Sequence, residues 1–218
     1  MSSASWPGLT AAIGAVWLLA CACSGGGPHE EPDVGGIENG IYTNRFFGFS
    51  LLLPADWAVA DEDTEAIMWD AGQLAVSQED PALSSTVDGA KQRSHQLLTL
   101  TRFRPDTVRE FNPNLMITAE RITHLPGIQD GNDYLLHTAR LLVGSPLEYT
   151  VKRPAEPVDV GGHEFYRAEF RLNAAPMTIE QVHYATIDRG YALTIVLSAS
   201  TPADVERLDA IVGAILFN

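Results

Sequence analysis

The sequence predicts an α+β domain in which helices cover the faces of an antiparallel β-sheet. Three observations carry this. In the last third of the chain, apolar residues alternate along strand-length segments joined by turns too short for a crossover, so neighbouring strands must be antiparallel. Capped segments with one apolar stripe fall between the strand runs and at the end of the chain. Both cysteines, Cys21 and Cys23, lie near the amino terminus of the 218-residue chain, so the remainder folds on its apolar core without disulfides.

From Leu9 to Ala22 nearly every residue is apolar or small. The run is shorter than the roughly 20 residues of a membrane-spanning helix and suits the apolar region of a secretory leader. Its end, Leu18-Leu19-Ala20-Cys21, resembles the lipobox of bacterial lipoproteins, which implies that Cys21 is acylated and becomes the mature amino terminus. Cys23 offers a second frame without the leucine, and an ordinary cleaved leader or an apolar helix is the other reading. Residues 21–40 are rich in Gly, Pro and acid and poor in apolar groups, so they are expected to form a flexible tether. The chain thus divides into a leader over residues 1–20, a tether over 21–40 and a single domain over 41–218.

Within the domain, Ile41 to Leu53 reads as a strand, with Phe47, Phe49, Leu51 and Leu53 at period two and Pro54 closing it. Thr64 to Gln78 carries Ile67, Met68, Ala71, Leu74 and Ala75 at helical spacing behind the acids Asp61-Glu62-Asp63. A short helix is expected over Ser85 to Ser94, with Ser85 and Asp88 as its cap. Leu97 to Phe103 and Leu115 to Ile122 are rich in β-formers on either side of Asn112-Pro113-Asn114, which makes them neighbouring strands. Asp130 to Gly144 is a helix capped by Asp130 or Asn132, with Tyr134, Leu135, Thr138, Leu141 and Leu142 on one stripe and Gly144 at its stop. Val158 to Val160 leads through Gly161-Gly162 to a strand in which Tyr166, Ala168, Phe170 and Leu172 face one way and Arg167, Glu169 and Arg171 the other. Thr178 to Ile187 returns, and Asp188-Arg189-Gly190 turns tightly into Tyr191 to Ala199. Thr201, Pro202 and Asp204 open a last helix whose buried stripe is Val205, Leu208, Val212, Ile215 and Leu216.

The formal net charge is −14, and every Lys, Arg, Asp and Glu lies beyond Pro28. Such a surface repels phosphate backbones and anionic headgroups, so nucleic acid is excluded as a partner. The histidines His29, His95, His124, His137, His163 and His183 stand singly, without the short spacing of a zinc site. There is no nucleophile elbow and no phosphate-cradling glycine loop. Glu120, Glu148, Glu164, Glu169 and Glu180 read as outward-facing residues, and Phe47, Phe49, Trp57, Trp69, Phe165, Tyr166 and Phe170 as core. No catalytic residue, metal ligand or cofactor site is therefore expected. Two alternatives stay open: a hydrolase in which acids join His183 or His163 from separate strands, and a calcium site using Asp61-Glu62-Asp63 or Asp130 and Asp133.

Tyr42-Thr43-Asn44, Phe47-Gly48-Phe49, Leu53-Pro54-Ala55-Asp56-Trp57, Gly161-Gly162-His163-Glu164-Phe165 and Gly190-Tyr191-Ala192-Leu193 together resemble the PsbP-like superfamily. That superfamily includes the P subunit of the oxygen-evolving complex and the Ran-binding Mog proteins. The resemblance spans most of Ile41 to Asn218 and implies an αβα sandwich with a binding or assembly role. Only the fold transfers by such a likeness. The expectation is a lipoprotein of the bacterial cell envelope, anchored to the membrane at Cys21 and facing the extracytoplasmic side. Its non-catalytic domain would bind an envelope protein.

Overall fold

The computed structural model describes residues 31–68, 81–104, 111–145, 147–174 and 176–218. The leader, both cysteines and the first part of the expected tether lie outside these, as do Trp69 and the last two thirds of the helix expected over Thr64 to Gln78. Two compact units divide the chain, Met1–Glu31 and Pro32–Asn218. All the strands and helices among the described residues belong to the second.

Among the described residues, eleven strands form two antiparallel sheets. The larger holds β4 (Ala58–Val59), β5 (Ser94–Thr101), β6 (Asn114–Arg121), β7 (Glu148–Val160), β8 (His163–Ala174), β9 (Met177–Asp188) and β10 (Tyr191–Ala199), in the order β4-β5-β6-β10-β9-β8-β7. The smaller holds β1 (Gly36–Glu38), β2 (Ile41–Asn44), β3 (Phe49–Leu52) and β11 (Ile215–Phe217), in the order β1-β2-β3-β11. Residues 62–68 are helical (α1), followed by α2 (Pro81–Arg93), α3 (Gly131–Gly144) and α4 (Pro202–Val212).

Alternation decides what each face of the large sheet carries. Leu98, Leu100, Leu115, Ile117, Leu193, Ile195, Leu197, Val182 and Phe165 point to one face and form the main core with Tyr42, Phe49, Leu51 and Ile215 of the small sheet and Leu208, Ile211 and Val212 of α4. Ala168, Phe170 and Ala185 point to the other, under Leu135 of α3. Helices on one face, and a helix with a second sheet on the other, give the α+β class read from the sequence. Gly131 opens α3 where a side chain could not fit, since an added Cβ would meet the Ala185 carbonyl oxygen at 2.1 Å.

Several expected boundaries move, each for a physical reason. Ile41 to Leu53 is a hairpin of two strands, because Asn44 takes the Phe47 amide on its side-chain oxygen (2.9 Å) and turns the chain. The same fully buried Asn44 donates to the Asp33 carbonyl (2.9 Å), and Tyr42 donates to that of Val34 (3.0 Å). Together with the pairing of β1 and β2, these bonds bring residues 32–40 into the folded unit rather than the tether. Asn44→Ala would orphan the Phe47 amide in the interior and free the Asp33 carbonyl; a loss of about 2 kcal/mol is expected in urea unfolding.

Helix α2 begins at Pro81, not at the Ser85 cap. Strand β7 begins ten residues before the expected Val158 to Val160: it lies at the sheet edge, where Lys152, Arg153, Pro154 and Pro157 discourage further pairing and also hide the strand signal. At the carboxyl end, Ile215 and Leu216 leave α4 and pair as β11 with Leu51 and Ser50. The caps agree with expectation: Thr201 accepts from the Asp204 amide (3.2 Å), and Asp130 from that of Asp133 (2.9 Å).

Candidate functional site

The two-residue period of the strands also decides which ionisable groups can meet. On β8 and β9, Arg167, Glu169, Arg171, Glu180 and Tyr184 share the face that carries α4. Arg167 donates through Nε to the Tyr184 hydroxyl (3.1 Å), through Nη1 to Glu169 (2.6 Å) and through Nη2 to Asp209 of α4 (3.3 Å), while Tyr184 donates to Asp209 (2.8 Å). Burial disfavours the Arg167 charge, but its bonds with Glu169 and Tyr184 outweigh this and hold the proton more firmly than usual. Arg167 in turn pulls the Glu169 carboxyl below its ordinary range. Burial raises the Tyr184 hydroxyl to about 12. Beside them, Arg171 and Lys152 both reach Glu180 (2.8 and 2.9 Å) and outweigh the opposing effect of burial on its carboxyl. These acids are therefore not simply outward-facing: they form a half-buried ladder that ties α4 to the edge of the sheet.

His183 lies on the opposite face, where its ring meets Phe170 edge-on (4.8 Å). Gln181 Oε1 accepts from Tyr149 (3.2 Å) and lies 3.3 Å from His183 Nε2, and its amide nitrogen donates to Ser198 (3.1 Å). An oxygen there requires the imidazole proton on Nε2. Burial lowers the His183 pKa to about 4, so the ring is neutral near pH 7. The sheet separates His183 from Glu169 and Glu180. His163 shares a face with neither His183 nor Glu164; it stacks on Phe217 (4.7 Å) and lies 3.5 Å from the Thr186 hydroxyl. The dispersed acid and histidine constellation is thus not assembled at either histidine.

The acidic clusters serve as helix starts. Asp61 accepts from the Thr64 amide (2.9 Å), and hydrogen bonding with the Thr64 side chain, together with that amide, lowers its carboxyl pKa. Asp133 accepts from the Gln129 amide (3.1 Å), completing the reciprocal cap with Asp130. Among the described residues, no group of three or more His, Cys, Asp or Glu is placed to hold a metal ion. Glu120 is likewise inward: it accepts from Tyr134 of α3 (2.8 Å) and pairs with Arg93 of α2 (3.7 Å), joining two helices across the sheet.

Sequence spacing did not bring His124 and His137 together, yet both line a recess of about 330 Å³ between the 122–130 loop and α3, with Asp133 and Arg140. A second recess, about 270 Å³, lies where α1 and α2 meet β5; Glu62, Glu65 and Lys91 line it, and burial raises the Glu65 carboxyl. The outer face of the small sheet was also missed. Ile41 pairs with Leu52, and Leu216 lies diagonally beyond on β11, all three exposed. A single strand over Ile41 to Leu53 has Leu51 and Leu53 on its apolar side, so Leu52 becomes part of an apolar face only when β2 and β3 pair.

No helix among the described residues is long and apolar enough to cross a membrane. No protein-family model matches the chain, and no curated protein is similar to it. Solved structures are. Cyanobacterial PsbP (CyanoP) from Synechocystis sp. PCC 6803 superimposes with a TM-score of 0.50 at 16% identity, over 84% of this chain and 96% of that one. LpqN of Mycobacterium tuberculosis, described as involved in cell envelope biogenesis, gives 0.43 at 9% identity, over 78% and 83%. The match along nearly all of CyanoP shows that Pro32–Asn218, an antiparallel sheet between helices with a small second sheet, has the PsbP-like fold.

Proposed function

We propose that this chain is a bacterial envelope lipoprotein, moored through acyl chains on Cys21, whose PsbP-like domain works on the extracytoplasmic side by binding an envelope protein rather than by catalysis. The observation that carries the reading is Leu18-Leu19-Ala20-Cys21 at the end of an apolar run, ahead of a folded unit that begins at Pro32. Two or more acyl chains hold a protein on a bilayer where one does not. A binding role is supported by how the ionisable groups are used: the acids of β8, β9 and α4 neutralise Arg167, Arg171 and Lys152, and the acids ahead of α1 and α3 cap helices. Holding the domain in a thin layer raises its effective concentration, which favours a partner of modest affinity.

Intact mass of the native protein tests the anchor. Cleavage before Cys21 with added lipid mass is expected, and Cys21→Ser should abolish both and move the protein out of the membrane fraction. An unprocessed chain beginning at Met1 and recovered from the cytosol would defeat the reading. Crosslinking on intact membranes tests the partner, and recovery of a free monomer in every growth condition would remove it.

A further inference from the structure

Of the eleven large apolar side chains exposed among the described residues, three lie together on the outer face of the small sheet, Ile41, Leu52 and Leu216, whereas Ile37, paired with the inward-pointing Tyr42, faces the other way. We propose that the outer face of this sheet, centred on Ile41, Leu52 and Leu216, rests on the lipid surface to which the chain is anchored. The docking face thus depends on the proposed lipid anchor at Cys21. The strands alternate cleanly: Tyr42, Asn44, Phe49, Leu51 and Ile215 point into the domain, which leaves Ile41, Thr43, Ser50, Leu52 and Leu216 pointing out. Glu38, opposite Ile41 on β1, adds a carboxylate at the rim, while the centre of the face is uncharged. In a chain of net charge −14, a face whose centre carries no charge is where a membrane surface can be approached with the least repulsion between anions.

Chain length and the point of entry select the lipid surface over other occupants. Whatever its conformation, the segment of roughly 11 residues from Cys21 to Pro32 reaches at most about 40 Å. That is about one domain diameter. The chain then enters the folded unit directly at this sheet: Val34 and Asp33 are bound by Tyr42 and Asn44 of β2, and β1 follows as its edge strand. The small sheet is therefore the part of the folded unit nearest to the anchor along the chain, and the anchor keeps the local concentration high enough for a few apolar side chains to act.

The test places an environment-sensitive dye on Leu52→Cys, and separately on Val151→Cys of edge strand β7, in the full processed chain carrying Cys23→Ser. The protein is reconstituted in phosphatidylcholine vesicles after its acylated mass has been verified. The expected result is a blue shift and a several-fold rise in emission at position 52, no change at 151, and loss of the shift when Ile41→Asp and Leu216→Asp are added. These sites are exposed, and circular dichroism checks that the variants keep their fold. Emission at 52 that stays as in water overturns the proposal. So does shielding that grows with protein concentration without lipid, which indicates a second copy, or shielding only in native membranes, which indicates a protein partner. An unacylated mass removes the anchor and this proposal with it, whereas an acylated mass with an unshifted dye removes the docking face alone.

Discussion

Gly161→Ala is expected to destabilise the domain by about 3 kcal/mol or more, while Gly162→Ala, one residue on, costs only about 1 kcal/mol. Both glycines have positive φ, +58° and +86°, so both substitutions carry the penalty of the left-handed region. Only the first also meets backbone. A Cβ on Gly161 would lie 2.2 Å from the Ile215 carbonyl oxygen, whereas one on Gly162 has nothing within 4 Å. The Ile215 carbonyl is poorly placed to yield, because β11 is paired with β3 and the Phe217 amide donates to the Gly161 carbonyl (3.3 Å). Gly161 is thus where the β7–β8 turn of the large sheet touches the last strand of the small one. Urea unfolding of the two variants decides the point, since equal losses would mean that conformation alone, and not this contact, makes Gly161 necessary.

Acidification from pH 7 to pH 4 should cost about 3 kcal/mol of stability through His183 alone. The sign follows from burial. The ring titrates near its ordinary pKa of 6.5 in the unfolded chain and near 4 in the folded one. Between those values the unfolded state binds more protons, so stability falls as pH drops through 6.5 and the loss is complete near 4. Glu169, Glu180 and Asp61, whose carboxyls are lowered by their partners, add losses of the same sign at lower pH. His183→Gln separates the contributions: it keeps a polar side chain near Gln181 but cannot titrate, so its stability should vary less with pH between 6.5 and 4. Parallel slopes for variant and parent in that interval would refute the assignment.

The elements legible in the sequence are those whose signal is local. The Thr201, Pro202 and Asp204 cap announces α4, Asp130 announces α3, and Arg189-Gly190, both at positive φ, makes the two-residue turn between β9 and β10. Alternation along β8 is enough, by residue type alone, to separate Arg167, Glu169 and Arg171 from Ala168 and Phe170. Strand β7 is the counterexample, because an edge strand is protected by the same Lys, Arg and Pro residues that a reader takes as loop. Leu216 shows another limit: apolar spacing that continues past Val212 looks helical until β3 supplies a pairing partner.

The candidate sites divide along the same line. That Glu169 stands between Arg167 and Arg171 is visible along the chain, but that Glu180 meets Arg171 and Lys152 from neighbouring strands and that Asp209 on a distant helix completes the Arg167 ladder are matters of contact. The capping roles of Asp61 and Asp130 depend on local geometry, which is why they are readable as helix starts. By contrast, His124 and His137 reach one recess because a loop folds beside α3, and no spacing rule encodes that approach.

By itself, the sequence determined the fold class, the starts of α3 and α4 and the face assignment of β8, because each depends on residues a few positions apart. Only the tertiary structure decided that residues 32–40 belong to the folded unit, that His183 is buried away from the acids, and that Ile41, Leu52 and Leu216 form one exposed face. Those facts depend on which distant strands pair and which side of a sheet is covered, and both are set by packing of the whole core rather than by any local preference.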